Sequence, residues 1–314
     1  MNNSIQVMKS IVENVEKVII GKRNAIELTL ISLICNGHVL IEDVPGVGKT
    51  SMVSSIARSI NSSFKRIQFT PDILPSDITG FSIYNQKSGE FEYRPGAVMS
   101  NIILADEINR TSPKTQASLL EVMEEYQVTV DGTTYKLPRP FMVMATQNPV
   151  EYLGTYPLPE AQIDRFFMKI TIGYPSQNEE SSMLSKFQHG NPIETLQPVA
   201  NAEDIIALQE QIKGIHVDKS LNSYIVDIVS HTRRHDDVTL GSSPRGSLAL
   251  FRASQAWAFY SGRNFVMPED VKKMAVPVLS HRIILKQEAK LKKVSSIDII
   301  NSILSKVNVP IIRE

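Results

Sequence analysis

Cysteine is nearly absent: Cys35 is the only one in 314 residues. A single thiol excludes an intramolecular disulfide and suits a reducing compartment, so a cytoplasmic protein is expected. Cys35 itself, in an apolar helical run with Ile31, Leu33 and Ile34, is assigned to the core. Net charge is absent too, because 33 Lys and Arg balance 33 Asp and Glu. With no dense basic run, the chain advertises no long nucleic-acid track. No apolar run is long enough to span a bilayer, and no basic segment followed by a signal-like apolar stretch opens the sequence. Neither a membrane span nor secretion is expected. The histidines His38, His189, His216, His231, His235 and His281 lack the cysteine or carboxylate spacing of a zinc site, and no Gly-x-Ser-x-Gly nucleophile elbow occurs. Internal repeats and low-complexity tracts are missing as well.

The sequence does contain the segment Asp43-Val44-Pro45-Gly46-Val47-Gly48-Lys49-Thr50, between the apolar run Val39-Leu40-Ile41 and a helical stretch from Ser51 to Ile60. Backbone N–H groups that converge on phosphate oxygens need residues without bulky side chains, which Gly46 and Gly48 provide. Lys49 then reaches the β- and γ-phosphates, and the Thr50 hydroxyl joins a Mg²⁺ shell. The helix opening at Ser51 adds its positive dipole end beneath the phosphates. A nucleoside triphosphate with Mg²⁺ is the expected ligand of residues 43 to 51. Asp43 stands where the common pattern has glycine, so its carboxylate is expected at the strand end, turned from the phosphates.

A second apolar run, Ile102-Ile103-Leu104-Ala105, ends in Asp106-Glu107. It is too continuous for a strand with one wet face and predicts one buried on both faces of a parallel sheet. Ligands of such sheets bind at the carboxyl ends of the strands, beside the phosphate loop. There Asp106 would hold Mg²⁺, directly or through water, and Glu107 would take a proton from the attacking water. A third strand, within Phe141 to Gln147, leads to Asn148-Pro149. Asn148 is a candidate for orienting that water, the alternative being a plain turn-forming Asn-Pro pair.

Two domains are the reasonable expectation for this length, and the pattern divides into an α/β part with a central parallel sheet over 1–175 and a mainly helical part over 176–314. Helices are predicted over Ile5 to Val18, stopped by Gly21, and over Asn24 to Cys35, with a short strand around Ile67-Gln68-Phe69. Ile83-Tyr84 and Phe91-Glu92-Tyr93 form the arms of one hairpin. Asp131-Gly132 supplies the tight turn of another, between Gln127-Val130 and Thr133-Leu137. A strand is predicted over Phe166 to Ile172. Beyond Pro175 a polar break falls at His189-Gly190-Asn191-Pro192, and helices are predicted over Ala202 to Ile212, Lys219 to His235, Pro244 to Tyr260 and Pro268 to Val278. The cluster His231, Arg233, Arg234 and His235 reads as a helix C-terminus favouring positive charge.

In order, Ile41 to Thr50, Gln68-Phe69-Thr70-Pro71-Asp72, Leu104 to Arg110, Ala145 to Pro149 and Tyr156 to Phe166 resemble the MoxR family of AAA+ ATPases, in the helix-2-insert clade. The resemblance is dense in the first half and rests mainly on Gly241-Ser242-Ser243-Pro244-Arg245-Gly246 in the second. It implies that 176–314 form a linker and an all-α lid, and it implies ATP hydrolysis in a homo-oligomeric, hexameric ring. It also implies that Ile20 and Gly21, in Val18-Ile19-Ile20-Gly21, lie around adenine, and that the first hairpin faces the pore or the client. Arg165 would be the finger that reaches a neighbour's γ-phosphate, a local salt bridge with Asp164 or Glu160 being the alternative; Arg110 could face the same junction. Arg245 resembles sensor 2, serving its own or a neighbour's site. The implied role is chaperone-like maturation of a client complex, with a separate von Willebrand factor A domain partner. A nucleic-acid motor or loader is the competing reading, disfavoured by the neutral charge.

Overall fold

The computed structural model describes residues 2–148, 154–188 and 190–310; Pro149 and His189 lie outside the described residues. The chain opens with α1 (Asn2–Glu16) and α2 (Arg23–Ile34), then β1 (Val39–Glu42) and α3 (Lys49–Ser59). Next come β2 (Phe64–Gln68), α4 (Pro75–Thr79), β3 (Gly80–Asn85), β4 (Glu90–Pro95), β5 (Ile102–Asp106) and α5 (Pro113–Glu125). β6 (Gln127–Val130), β7 (Thr133–Lys136), β8 (Met142–Gln147), α6 (Glu160–Ile163) and β9 (Met168–Ile170) follow. The remainder is α7 (Gln177–Phe187), α8 (Ala202–Gln211), α9 (Lys219–Arg234), β10 (Val238–Leu240), α10 (Pro244–Tyr260), α11 (Pro268–Leu279), β11 (Ile284–Leu285), α12 (Gln287–Leu291) and α13 (Ser296–Lys306). No helix among the described residues is long and apolar enough to cross a membrane.

The central sheet has the order β2-β5-β8-β1-β9 with every pairing parallel. Its side chains alternate between two apolar layers, as the pleat requires. Ile102, Leu104, Met142 and Met144 face the layer built with α1, α2 and α3, whereas Ile103, Ala105, Val143 and Ala145 face α5. That double burial is why these strands read as continuous apolar runs. The first layer extends through Ile225, Ile228, Leu250 and Val271 into the helical part, so core and lid share packed surface.

Register defines two edges of the sheet. Val39 pairs with Met144 on one side and Met168 on the other, which puts Glu42, Asp106 and Gln147 at the carboxyl edge and His38 and Phe167 at the amino edge. α5 runs back between them. It starts at the Ser112 cap, just beyond Glu107, and ends at Tyr126, whose hydroxyl donates to the Asn36 carbonyl at 2.5 Å.

The expected strand over Phe166 to Ile172 shortens to β9, because the N–H groups of Ile172 and Gly173 donate to the Asp43 carboxylate (2.6 and 2.7 Å) instead of to a neighbouring strand. The strand near Ile67 starts earlier, at Phe64, and stops at Gln68. Both hairpins form, with Asp131 and Gly132 at φ 49° and 79° in the second turn. They meet through Tyr93 stacked on Tyr135, centroids 4.1 Å apart, and the first leaves Phe81, Ile83, Tyr84 and Phe91 exposed. The lid is helical but carries one small antiparallel ladder, β10 with β11, too short for periodicity to reveal.

Candidate active site

The loop after β1 follows directly from its glycines. Gly46 and Gly48 have φ of 84° and 86°, a left-handed conformation that side chains disfavour, and open space surrounds Gly46. Gly48 caps α3 without any side-chain acceptor for the first-turn N–H groups. Those donors are therefore available to an anion, which suits a phosphate. Lys49 donates to the Asp43 carbonyl at 3.0 Å, across the span of the loop. The Asp43 side chain turns to β9, accepting the two N–H groups named above and that of Val44 at 3.0 Å. Ile19 is the nearest side chain to a Cβ built at Gly48 (4.0 Å), so the 18–21 segment flanks the loop. Gly21, at φ 73°, has the Glu179 side chain lying where its own would be.

One step along the sheet edge, Thr146 organises both carboxylates. Its hydroxyl donates to Asp106 Oδ1 at 2.6 Å and accepts the Glu107 N–H at 2.8 Å. The second bond holds Glu107 at φ 56°, a region that costs a non-glycine residue of order 1–3 kcal/mol. Arg66 binds Asp106 Oδ2 through Nη2 (2.6 Å) and Nε (3.1 Å). Glu107 Oε2 accepts from Gln68 Nε2 and pairs with Arg110 Nη1, each at 3.0 Å, two contacts on one oxygen of the carboxylate. Asn148 is buried immediately beyond β8. Thus Lys49, Asp106, Glu107 and Asn148 converge at one edge. Thr50 and Asp106 offer hard oxygen donors, and no cluster of three His, Cys, Asp or Glu exists among the described residues. That donor set fits Mg²⁺, which typically takes one or two protein oxygens and completes its shell with phosphate and water.

Arg165 and Arg245 are not there. They line a cleft of about 300 Å³ at the amino edge, with His38, Glu124, Arg252 and Arg282. Both guanidiniums pair with Glu124: Arg165 Nη2 lies 3.1 Å from Oε2 and Arg245 Nη2 2.5 Å from Oε1. The alternative partner Asp164 is otherwise engaged, by the buried Arg282 (2.9 Å) and by the Ser243 hydroxyl (2.8 Å). Arg282 also donates to the carbonyls of Phe166 (2.6 Å) and Phe167 (3.2 Å), which fixes the chain beside Arg165. Burial pushes its pKa down to about 10, opposed by Asp164, so it stays charged at neutral pH. Ser243 caps α10, placing Arg245 in the first turn.

His38 sets the end of α5. Its Nδ1 accepts the Val143 N–H at 3.0 Å, so Nε2 carries the proton and donates to the Met123 carbonyl at 2.9 Å. Burial holds this neutral ring at a pKa of about 4. Sequence reasoning assigned no part to Thr146, Arg66, Gln68, Arg282 or Glu124. Thr146 lies within the Ala145 to Pro149 segment, but Glu124 is one of several carboxylates near a helix end and carries no signal of its own.

Residues 38–168 match the ATPase family associated with various cellular activities, and residues 230–303 match the AAA lid domain. The chain is 57% identical to the uncharacterized protein YeaC of Bacillus subtilis, over 96% of this chain and 94% of that protein. It is 40% identical to the chaperone MoxR1 of Mycobacterium tuberculosis, over 98% of this chain and 83% of that one. The crystal structure of a proposed ATPase from Cytophaga hutchinsonii superposes with a TM-score of 0.93 at 42% identity, covering 99% and 97% of the two chains. With an AAA match over residues 38–168, an AAA lid match over 230–303 and 40% identity to the chaperone MoxR1 across 98% of its length, the chain belongs to the MoxR family of AAA+ ATPases.

Proposed function

We propose that the protein hydrolyses ATP with Mg²⁺ at a site shared between subunits of a hexameric ring, its own P-loop and carboxylates being completed by Arg165 and Arg245 of the next copy. The observation that carries this reading is the separation of the two sets across the sheet. Both arginines sit at the amino edge and cannot serve the loop at the carboxyl edge of their own subunit. In this mechanism residues 43–51 cradle the triphosphate, with Ile20 and Gly21 beside the base and Lys49 on the β- and γ-phosphates. Thr50 and Asp106 would hold Mg²⁺, which would supply neutralisation of phosphate charge. Asn148 orients the water and Glu107 accepts its proton. The neighbour's arginines offset charge developing on the transferred phosphoryl group.

The remodelling role is supported by the relative named a chaperone and by the exposed apolar hairpin β3–β4, a surface suited to a client chain. A separate von Willebrand factor A domain protein would bring that client. The test is mass by light scattering of wild type and Arg165→Ala, with and without ATP, alongside steady-state phosphate release. Both proteins should assemble with ATP while only wild type hydrolyses it rapidly. Two monomers of equal activity would refute the shared site.

A further inference from the structure

We infer that Glu124 is a positioning residue for the shared site: its single carboxylate holds Arg165 and Arg245 side by side, so that both meet one phosphate of the neighbouring subunit. The inference rests on the trans-acting role proposed above for the two arginines.

The two guanidiniums engage opposite oxygens of the same carboxylate. Each ion pair uses one terminal nitrogen of a group that carries five N–H donors, which leaves a fork of donors on both arginines for an incoming anion. Charge gives the second reason. The cleft gathers Arg165, Arg245, Arg252 and Arg282, and Glu124 is its one acidic lining residue. Asp164, the carboxylate behind the cleft, is committed to Arg282 and Ser243. Without Glu124 the half-buried Arg165 and the exposed Arg245 would face each other as uncompensated like charges.

Exposure gives the third reason. Side-chain accessibilities are 31% for Arg165, 44% for Arg245 and 40% for Glu124. Ion pairs this open contribute little to folding, yet the scaffold beneath this one is elaborate. Arg282 pins the 164–167 backbone, the Ser243 cap ties α10 to Asp164, and His38 and Tyr126 hold the end of α5. Three separate elements are thus fixed so that three side chains converge. α5, 13 residues and about 20 Å long, starts shortly after Glu107 in the chain and carries Glu124 in its last turn, so one helix links the two edges.

The test compares Glu124→Ala and Glu124→Asp with wild type for kcat, KM and assembled mass, and then mixes each variant with Glu107→Gln subunits. Glu124→Ala should lose about 10- to 100-fold in kcat, the scale of a small misplacement of a reacting group, with KM and mass unchanged. Glu124→Asp should recover part of that loss. Mixing with Glu107→Gln should raise turnover of the Glu124→Ala subunits several-fold, because those neighbours present a properly held pair. If Glu124→Ala fails to assemble, Glu124→Gln, isosteric and neutral, carries the same expectation. Wild-type kcat in Glu124→Ala, or a loss that mixing does not relieve, overturns the inference. An Arg165→Ala and Glu107→Gln mixture separates the two ideas. Relief there without relief for Glu124→Ala removes Glu124 alone, whereas no relief in either mixture overturns both the inference and the shared site.

Discussion

At the carboxyl edge of the sheet, Asp106, Glu107 and Asn148 stand at or just beyond the ends of two buried strands, and Lys49 follows a third by one short loop. At the amino edge, Glu124, Arg165 and Arg245 come from α5, from the turn before β9 and from the first turn of α10, and they meet only through side chains. The first group is placed by strand register, the second by a bonded framework of Arg282, Asp164, Ser243 and His38. A site built by register is nearly complete within one chain. A site built by docking helices and turns faces outward, where another chain can use it.

The difference can be probed at both edges. Removal of Arg165 should show the largest effect: Arg165→Ala is expected to lower turnover by about 10³- to 10⁵-fold while a fluorescent ATP analogue still binds, since the cradle lies at the other edge. Undiminished turnover would erase the distinction between the edges. Glu107→Gln should reduce phosphate release by about 10²- to 10⁴-fold, the usual scale of general-base catalysis, again with nucleotide retained, in a single-turnover assay.

Stability effects are smaller and sharpen the comparison. His38 sits at about 4 when folded, below the 6.5 of an exposed histidine, so the unfolded chain binds more protons between those values. Its contribution is therefore full above pH 6.5 and lost as pH falls towards 4, about 3 kcal/mol in all. Urea unfolding across that window should show a shallower pH slope for His38→Asn than for wild type. Asp43→Asn, which weakens the bonds joining β1 to the end of β9, should cost about 2 kcal/mol in the same assay at pH 7. A value near zero would mean that those bonds do not hold the edge strand.

The carboxyl edge was legible because each candidate residue there is tied to a strand that announces itself as a continuous apolar run, and because Gly46 and Gly48 keep the loop free of bulky side chains. Asp43, out of place in the loop pattern, became intelligible through two N–H groups 129 and 130 residues away. The lid helix starting at Pro244 was legible from its apolar periodicity and from proline at its first position. The amino edge was only half visible. Arg165 and Arg245 could be named by resemblance, but their common carboxylate could not, since Glu124 precedes them by 41 and 121 residues and local pattern carries no information on that pairing. Thr146, Arg66 and Gln68 escaped for the same reason, their roles resting on bonds across neighbouring strands. The β10–β11 ladder was too short to leave a period.

The most direct measurement of a site divided between subunits is turnover per subunit as a function of protein concentration, with mass followed in parallel at saturating ATP and Mg²⁺. The account predicts negligible turnover where the protein is monomeric and a rise in step with assembly. Constant turnover per subunit, down to concentrations at which only monomers remain, would contradict it.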